Sequence, residues 1–396
     1  VEDNNQIVAC ISVAKSPRLV ATSEGLLQRR RIGADGKPQC VPSYPHEFAT
    51  RQSDLGVLDY SSLPIREATT ADFDPLERER LRQLIERYGG DTSLLSLDDS
   101  ELDGALGFVE REGDQIFPTI TGMLLIGREA AIKRHIPAHE VAFQILEDTD
   151  VKVNDFFKAP LLKCFQNVMD RFEPRLHEEE MQIGFFRVAV PNFDRRAFRE
   201  TVVNAVVHRD YTRLGAVHIR WEQEGIIVSN PGGFVEGVNL DNILVVEPRP
   251  RNPRLADAIK RIGLAERTGR GVDLIFEGLL RYGRPAPDYS MSTNNCVVVK
   301  LFGGQADLGL IKVIISEENR TGAKLPLDAI IILTMLSRER RLEITPIAKA
   351  IQRPEATTRN ILERLVEKGL IEGHAGRPRT YTLSSRIYKE LGKPGD

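Results

Sequence analysis

The segment ETVVNAVVHRDY, residues 200–211, places a carboxylate, an amide and an imidazole at Glu200, Asn204 and His208. Steps of four put all three on one face of a helix. The residues between them are mostly valine, which helices do not favour, so burial must hold such a helix. An amide oxygen on a rigid helix can ligate Mg²⁺ when phosphates and waters fill the remaining positions. A carboxylate one turn earlier can orient or deprotonate a water. By itself such a stripe is more often a satisfied polar seam in a core than a metal site.

Two glycine turns follow. SNPGG, residues 229–233, ends a β-branched run. Its glycines let a flat ligand approach the backbone closely, and Asn230 can hydrogen-bond a base edge. RTGRG, residues 267–271, opens a helix at Val272. Glycines at a helix N-terminus expose amide groups to phosphate oxygens, and Arg267 and Arg270 add positive charge.

The elements that must position these groups follow from caps and periodicity. Asp194 is the expected N-cap of the helix that carries Glu200. AVHIRWEQEGIIVSNPGG is two β-runs joined by a turn. Residues 234–253 are irregular, with three prolines and three asparagines. Two helices separated by the second glycine loop come next, then the strand NCVVVKLF over residues 295–302. Strands that do not alternate regularly with helices argue for an α+β sandwich and against a Rossmann fold.

This order of helix with Glu and Asn, strand-end glycine turn, flexible lid and second glycine turn resembles the GHKL ATPases, the superfamily of gyrase B and the histidine kinases. More closely, ExxxNAxxHRDY, NPGG, PRNP and GxG resemble the ATPase module of RecG-related transcriptional regulators. Those proteins pair it with an AlbA-like N-terminal DNA-binding domain and often a C-terminal winged helix. The resemblance implies an ATP site with Mg²⁺ on Asn204 and Glu200 as the water-activating base. It implies Asn230, Gly232 and Gly233 at the adenine end. Residues 234–262 become a lid bearing Arg249, Arg251 and Asn252, with Gly269, Arg270 and Gly271 at the phosphates.

This sequence departs from the wider superfamily in three ways. The aspartate that accepts the adenine amino group is Asn230 here, whose amide oxygen accepts the same bond without charge. The second glycine box is shorter than GxxGxG, and no lysine is evident for a γ-phosphate. Two readings stay open: a weak Mg²⁺-dependent ATPase, or a non-hydrolysing scaffold in a DNA-binding protein. The HRD at residues 208–210 is not a kinase motif, because the asparagine required five residues after the aspartate is Gly215. His208 to Tyr211 are expected to end the helix. No GxxxxGK[ST] loop occurs, which removes a helicase motor.

Outside this region, the chain begins with Val1, and residues 1–58 read as an AlbA-like unit incomplete at its N-terminus. A strand is expected over residues 7–13. Arg29, Arg30 and Arg31 suit either phosphate contact or a solvated turn. Residues 59–190 read as an α/β connecting region, including a helix over 74–90 capped by Asp74 and stopped by Gly89. The ATPase-like domain spans 191–303, a linker 304–324, and a winged helix-turn-helix 325–396. That last segment holds thirteen Lys/Arg and nine Asp/Glu, whereas the chain has a net charge of −3. Arg353, Thr357, Thr358, Arg359, Arg377 and Arg379 are its candidate contacts to double-stranded DNA.

Four scattered cysteines, Cys10, Cys40, Cys164 and Cys296, suit a reducing cytoplasm and neither a disulfide framework nor structural zinc. No apolar run is long enough to span a membrane. A homodimer is expected, because winged helices commonly read paired half-sites.

Overall fold

The computed structural model describes residues 2–3, 6–7, 20–32, 36–148, 150–183, 186–266 and 268–392. The chain divides after Leu58 into two compact units. In the first, strand Gln28–Ile32 pairs antiparallel with Pro38–Pro42, and helix Pro45–Asp54 follows. Arg29 forms an ion pair with Glu47 at 2.8 Å. Most of the strand expected over 7–13, the side chains of Arg30 and Arg31, and Arg267 lie outside the described residues.

The second unit is built around a five-stranded mixed sheet. Its order is Cys296–Phe302, Gly225–Pro231, Val217–Glu222, Val141–Glu147, Asp150–Phe157. Only the Val217–Glu222 and Val141–Glu147 pair is parallel; the other neighbours are antiparallel. The sheet therefore takes strands from both sides of residue 191, and no structural boundary falls there. The helix Arg195–Val207, here the stripe helix, packs on it. Val202, Val203, Val206 and Val207 are all buried, so the residues that disfavour an isolated helix supply its tertiary packing. Phe198 stacks on Phe172 of helix Leu161–Phe172, with ring centroids 3.8 Å apart. The opposite sheet face carries polar pairs such as Gln144 with Asn154 and Lys300 with Glu224.

Local signals set the helix ends. Asp194 accepts the Ala197 N–H at 2.6 Å and caps the stripe helix. Asp74 caps helix Pro75–Tyr88, and Gly89 leaves it in the left-handed region at φ 64°. Residues 304–324 are not a linker. Asp307 caps helix Leu308–Thr321, Gly322 ends it, and Leu310, Val313 and Ile314 join the C-terminal core. Beyond it come helix Leu327–Arg338, strand Arg341–Glu343, helices Ile344–Ala350 and Glu355–Glu367, and strands Ile371–His374 and Thr380–Leu383. The short strand at 341–343 completes a three-stranded sheet with the last two. No helix among the described residues is long and apolar enough to cross a membrane.

The stripe helix also packs on helix Gly271–Leu280, here the glycine-loop helix. The approach is close because position 278 has no side chain. A Cβ there would lie 2.7 Å from the Ala197 Cβ and 2.9 Å from Asp194 Oδ1. Gly278→Leu is expected to separate the two helices and cost about 2–3 kcal/mol. Urea unfolding checks this; an unchanged midpoint would refute the close packing.

Candidate functional site

Between the stripe helix, the end of strand Gly225–Pro231 and the glycine-loop helix lies a cavity of about 350 Å³. Glu200, Asn204 and His208 all line it, together with Asn230, Gly233, Arg249, Gly269, Arg270 and Gly271. Residues remote in sequence thus share one wall. Val228, Tyr289, Val297 and Val299 give it an apolar floor, and the irregular segment from Phe234 to Pro250 covers it.

Glu200 is 2% exposed, and its Oε1 has no hydrogen-bond partner among the described residues. Burial raises its pKa from 4.5 to about 7, against the pull of Arg199 and Arg196. The glycine-loop helix begins against it: a Cβ at Gly271 would lie 3.2 Å from Glu200 Oε2 and 3.6 Å from Asn204 Oδ1. That approach brings a helix N-terminus onto both polar side chains. His208 is half-buried on the cavity wall. Burial, then the charges of Arg251 and Lys260, lower its pKa to about 4. It is a neutral imidazole at pH 7.

Other expected site residues do different work. The guanidinium of Arg251 donates to His208 O at 3.1 Å and to Gly233 O at 2.9 Å. Asn252 Nδ2 donates to Val207 O and Arg209 O, both at 2.8 Å. Both side chains are buried and satisfy carbonyls where the stripe helix ends; neither lines the cavity. Gly232 is also off the wall. At φ +97°, a Cβ there would lie 2.9 Å from the Asp210 Cβ, and at Gly233 2.6 Å from Asn294 O. Protein neighbours, not space left for a ligand, require both glycines. Gly269, at φ +81°, has Pro248 against it: a Cβ would lie 2.4 Å from the proline Cγ. The lid therefore rests on the second glycine turn.

Two residues escaped the sequence reading. Lys260, on helix Pro253–Ile262, lines the cavity and makes no ion pair among the described residues. No sequence signal marks it; it lies one turn after Ala256, which is also on the wall, and the packing of their helix brings both there. Arg270, by contrast, pairs with Asp273 at 3.3 Å and Glu277 at 3.5 Å. Glu266 accepts the backbone N–H groups of Thr268 at 2.7 Å and Arg270 at 3.0 Å. Burial pushes its pKa up, but these bonds bring it below the usual carboxylate range. Its carboxylate thus sits on amides that the sequence reading offered to phosphate.

In the C-terminal segment, Thr357, Arg359, Arg377 and Arg379 are exposed, as is Arg353, which lies 3.6 Å from Asp328. Thr358 is fully buried and donates to Pro354 O at 3.1 Å, so it cannot reach a nucleic acid. Arg379 lies over the Tyr381 ring at 5.4 Å.

Comparison with known proteins assigns a class to part of this region. Residues 215–301 match the family described as "Putative ATP-dependent DNA helicase recG C-terminal". The region is RecG C-terminal-like, of ATPase type. The match contains Asn230, the lid and Gly269–Gly271 but begins after Glu200 and Asn204. Residues 49–142 match a domain of unknown function, DUF8451. No curated protein matches the chain. Among solved structures, the DIP2311 protein from Corynebacterium diphtheriae shares the fold at a TM-score of 0.70 and 23% identity, covering 97% of this chain and 75% of that one.

The raised pKa of Glu200 has a measurable consequence. Its carboxyl binds a proton more tightly folded than unfolded, so its contribution to stability is complete below about pH 4.5 and lost as pH rises through about 7. Glu200→Gln is therefore expected to match wild type near pH 4.5 and exceed it by up to about 3 kcal/mol at pH 8. Urea titrations at both pH values check this. A difference that does not change with pH would exclude burial as the cause.

Proposed function

We propose that the cavity is an ATP site and that the protein is a cytoplasmic DNA-binding transcriptional regulator controlled by it. The observation that carries the reading is the convergence of Glu200, Asn204, Asn230, the lid and Gly269–Gly271 on one cavity with an apolar floor. The residues suit Mg²⁺ when it arrives with phosphates. Asn204 contributes an amide oxygen as the ligand, and Glu200 Oε1, a buried acceptor without a partner among the described residues, is free to meet a water. Among the described residues no group of three or more His, Cys, Asp or Glu forms a metal site. The ion would therefore depend on nucleotide oxygens and would offset their charge.

In this reading Asn230 orients the base and the apolar floor receives the ring. Lys260 and Arg249 supply charge along the phosphates. Glu200, ionised at slightly alkaline pH, is positioned to draw a proton from a water. The 325–396 segment serves as a winged helix on double-stranded DNA, with Arg359, Arg377 and Arg379 as phosphate or base contacts. Two copies bind paired half-sites. The N-terminal unit, read as AlbA-like, is a second DNA contact.

A second reading keeps the DNA binding but makes the ATPase-like domain a scaffold. The Glu266 carboxylate on the glycine-loop amides favours it, because an incoming phosphate has to compete for those donors. Hydrolysis that Glu200→Ala abolishes would eliminate this reading.

Isothermal titration with ATP and Mg²⁺ tests the first. Asn204→Ala is expected to weaken binding tenfold or more. Lys260→Met is expected to weaken ATP about tenfold while leaving adenosine unchanged. Absence of ATP binding by wild type, or equal binding by Asn204→Ala, ends the nucleotide proposal. For DNA, Arg359→Ala and Arg377→Ala should each lower affinity and reduce the salt slope by about one. Retention of the wild-type salt slope in both variants removes this surface from consideration.

A further inference from the structure

The lid is held from outside the ATPase-like region. Gln352 lies in the turn between helices Ile344–Ala350 and Glu355–Glu367. Its side-chain Oε1 accepts the Leu244 N–H at 2.7 Å, and its Nε2 donates to Leu240 O at 2.8 Å. Both partners lie in the irregular segment that covers the cavity, and Leu244 itself lines it. One amide thus bridges two backbone groups more than a hundred residues away in sequence.

The bridge is reinforced on both sides. Leu244 and Phe276, the latter from the glycine-loop helix, pack against the C-terminal core. The glycine-loop helix and helix Leu327–Arg338 are in direct contact. Gln352 adopts φ 56°, a left-handed backbone that glutamine rarely takes. Such a conformation persists where its surroundings over-determine it. Here it orders the turn that directs the amide at the lid.

We infer that Gln352 is a positioning residue for the cavity lid, clamping residues 240–244 to the turn between two C-terminal helices so that cavity occupancy and the pose of the C-terminal segment are coupled. The identity of the occupant rests on the ATP reading; the clamp does not. A lid that moves to admit a ligand has to stretch or break both bonds, and the turn then loses its partner. By reciprocity, anything that reorients the C-terminal helices alters affinity in the cavity.

Hydrogen exchange on the full chain, resolved at the Leu244 amide, tests this. Gln352→Gly removes the side chain while accommodating the positive φ, so it should fold without loss of thermal stability. It is expected to speed exchange at Leu244 about tenfold or more. Gln352→Glu keeps an acceptor for Leu244 but sets a carboxylate oxygen against the Leu240 carbonyl in place of the donor, so it should also speed exchange at Leu244. Wild-type exchange at Leu244 in Gln352→Gly overturns the clamp. In wild type, ATP with Mg²⁺ should change exchange across 344–367, and this response should disappear in Gln352→Gly. A response of equal size in both proteins overturns the coupling. If wild type binds no ATP but Leu244 exchange rises in Gln352→Gly, the clamp stands and the nucleotide reading fails.

Discussion

The stripe helix ends inside the protein, and its last carbonyls have to be satisfied there. Tyr211 donates its hydroxyl to Val206 O at 3.0 Å. Asn252 reaches Val207 O and Arg209 O, and Arg251 reaches His208 O. Arg209, itself fully buried, donates to the carbonyls of Ala138, Asp210, Arg213 and Gly215. Two of these donors come from the end of the lid. The same bonds that terminate the helix therefore anchor the lid's C-terminal end beside it, and the cavity has a fixed rear wall. Without them, a buried helix end would leave several carbonyls unpaired, each a substantial desolvation cost.

The cavity walls carry an unusual balance of charge. Glu200, Glu247, Glu266 and Asp273 face Arg249, Lys260 and Arg270. Arg270 is paired locally, Glu266 is held by backbone amides, and burial raises the Glu200 pKa to about 7. Lys260 and Arg249 make no ion pair among the described residues; Arg249 donates only to the Glu236 carbonyl, at 3.4 Å. An anionic ligand meets two cations without carboxylate partners among the described residues, Lys260 and Arg249, and one carboxyl whose pKa burial raises. The apolar floor lowers the local dielectric and strengthens both effects.

Much of the local structure was legible because it is written in neighbouring residues. Asp74, Asp194, Gly89 and the valine pattern mark helix ends and buried faces through interactions a few residues long. The convergence of Glu200, Asn204, Asn230 and the glycine turns could be expected from their order. What could not be read was set by partners distant in sequence. The parallel pairing of Val141–Glu147 with Val217–Glu222 draws part of the connecting region into the central sheet. The PRNP turn holds Arg251 and Asn252, whose donors face carbonyls rather than a ligand; residue type alone does not distinguish these uses. Thr358 has the polarity of a surface contact, but helical phase turns it inward. Lys260 sits in helix Pro253–Ile262, which the sequence reading placed within the lid, and only the packing of that helix aims it at the cavity.

The helix Leu308–Thr321 bears on how this protein can be taken apart. Leu310, Val313 and Ile314 belong to the C-terminal core, while Ile311 packs with Val190 of strand Phe186–Pro191. Glu317 on the same helix pairs with Arg386 at 3.2 Å. A cut in this helix leaves apolar side chains without cover, and a cut after Thr321 parts the buried Glu317 carboxylate from Arg386, leaving it only Arg320 at 2.6 Å. A fragment carrying the C-terminal helices would have to begin before Asp307, at the cap, and would still expose Ile311 where strand Phe186–Pro191 had been. The segment that reads as a tether is a shared wall, and the chain after Leu58 is dissected at the expense of both sides.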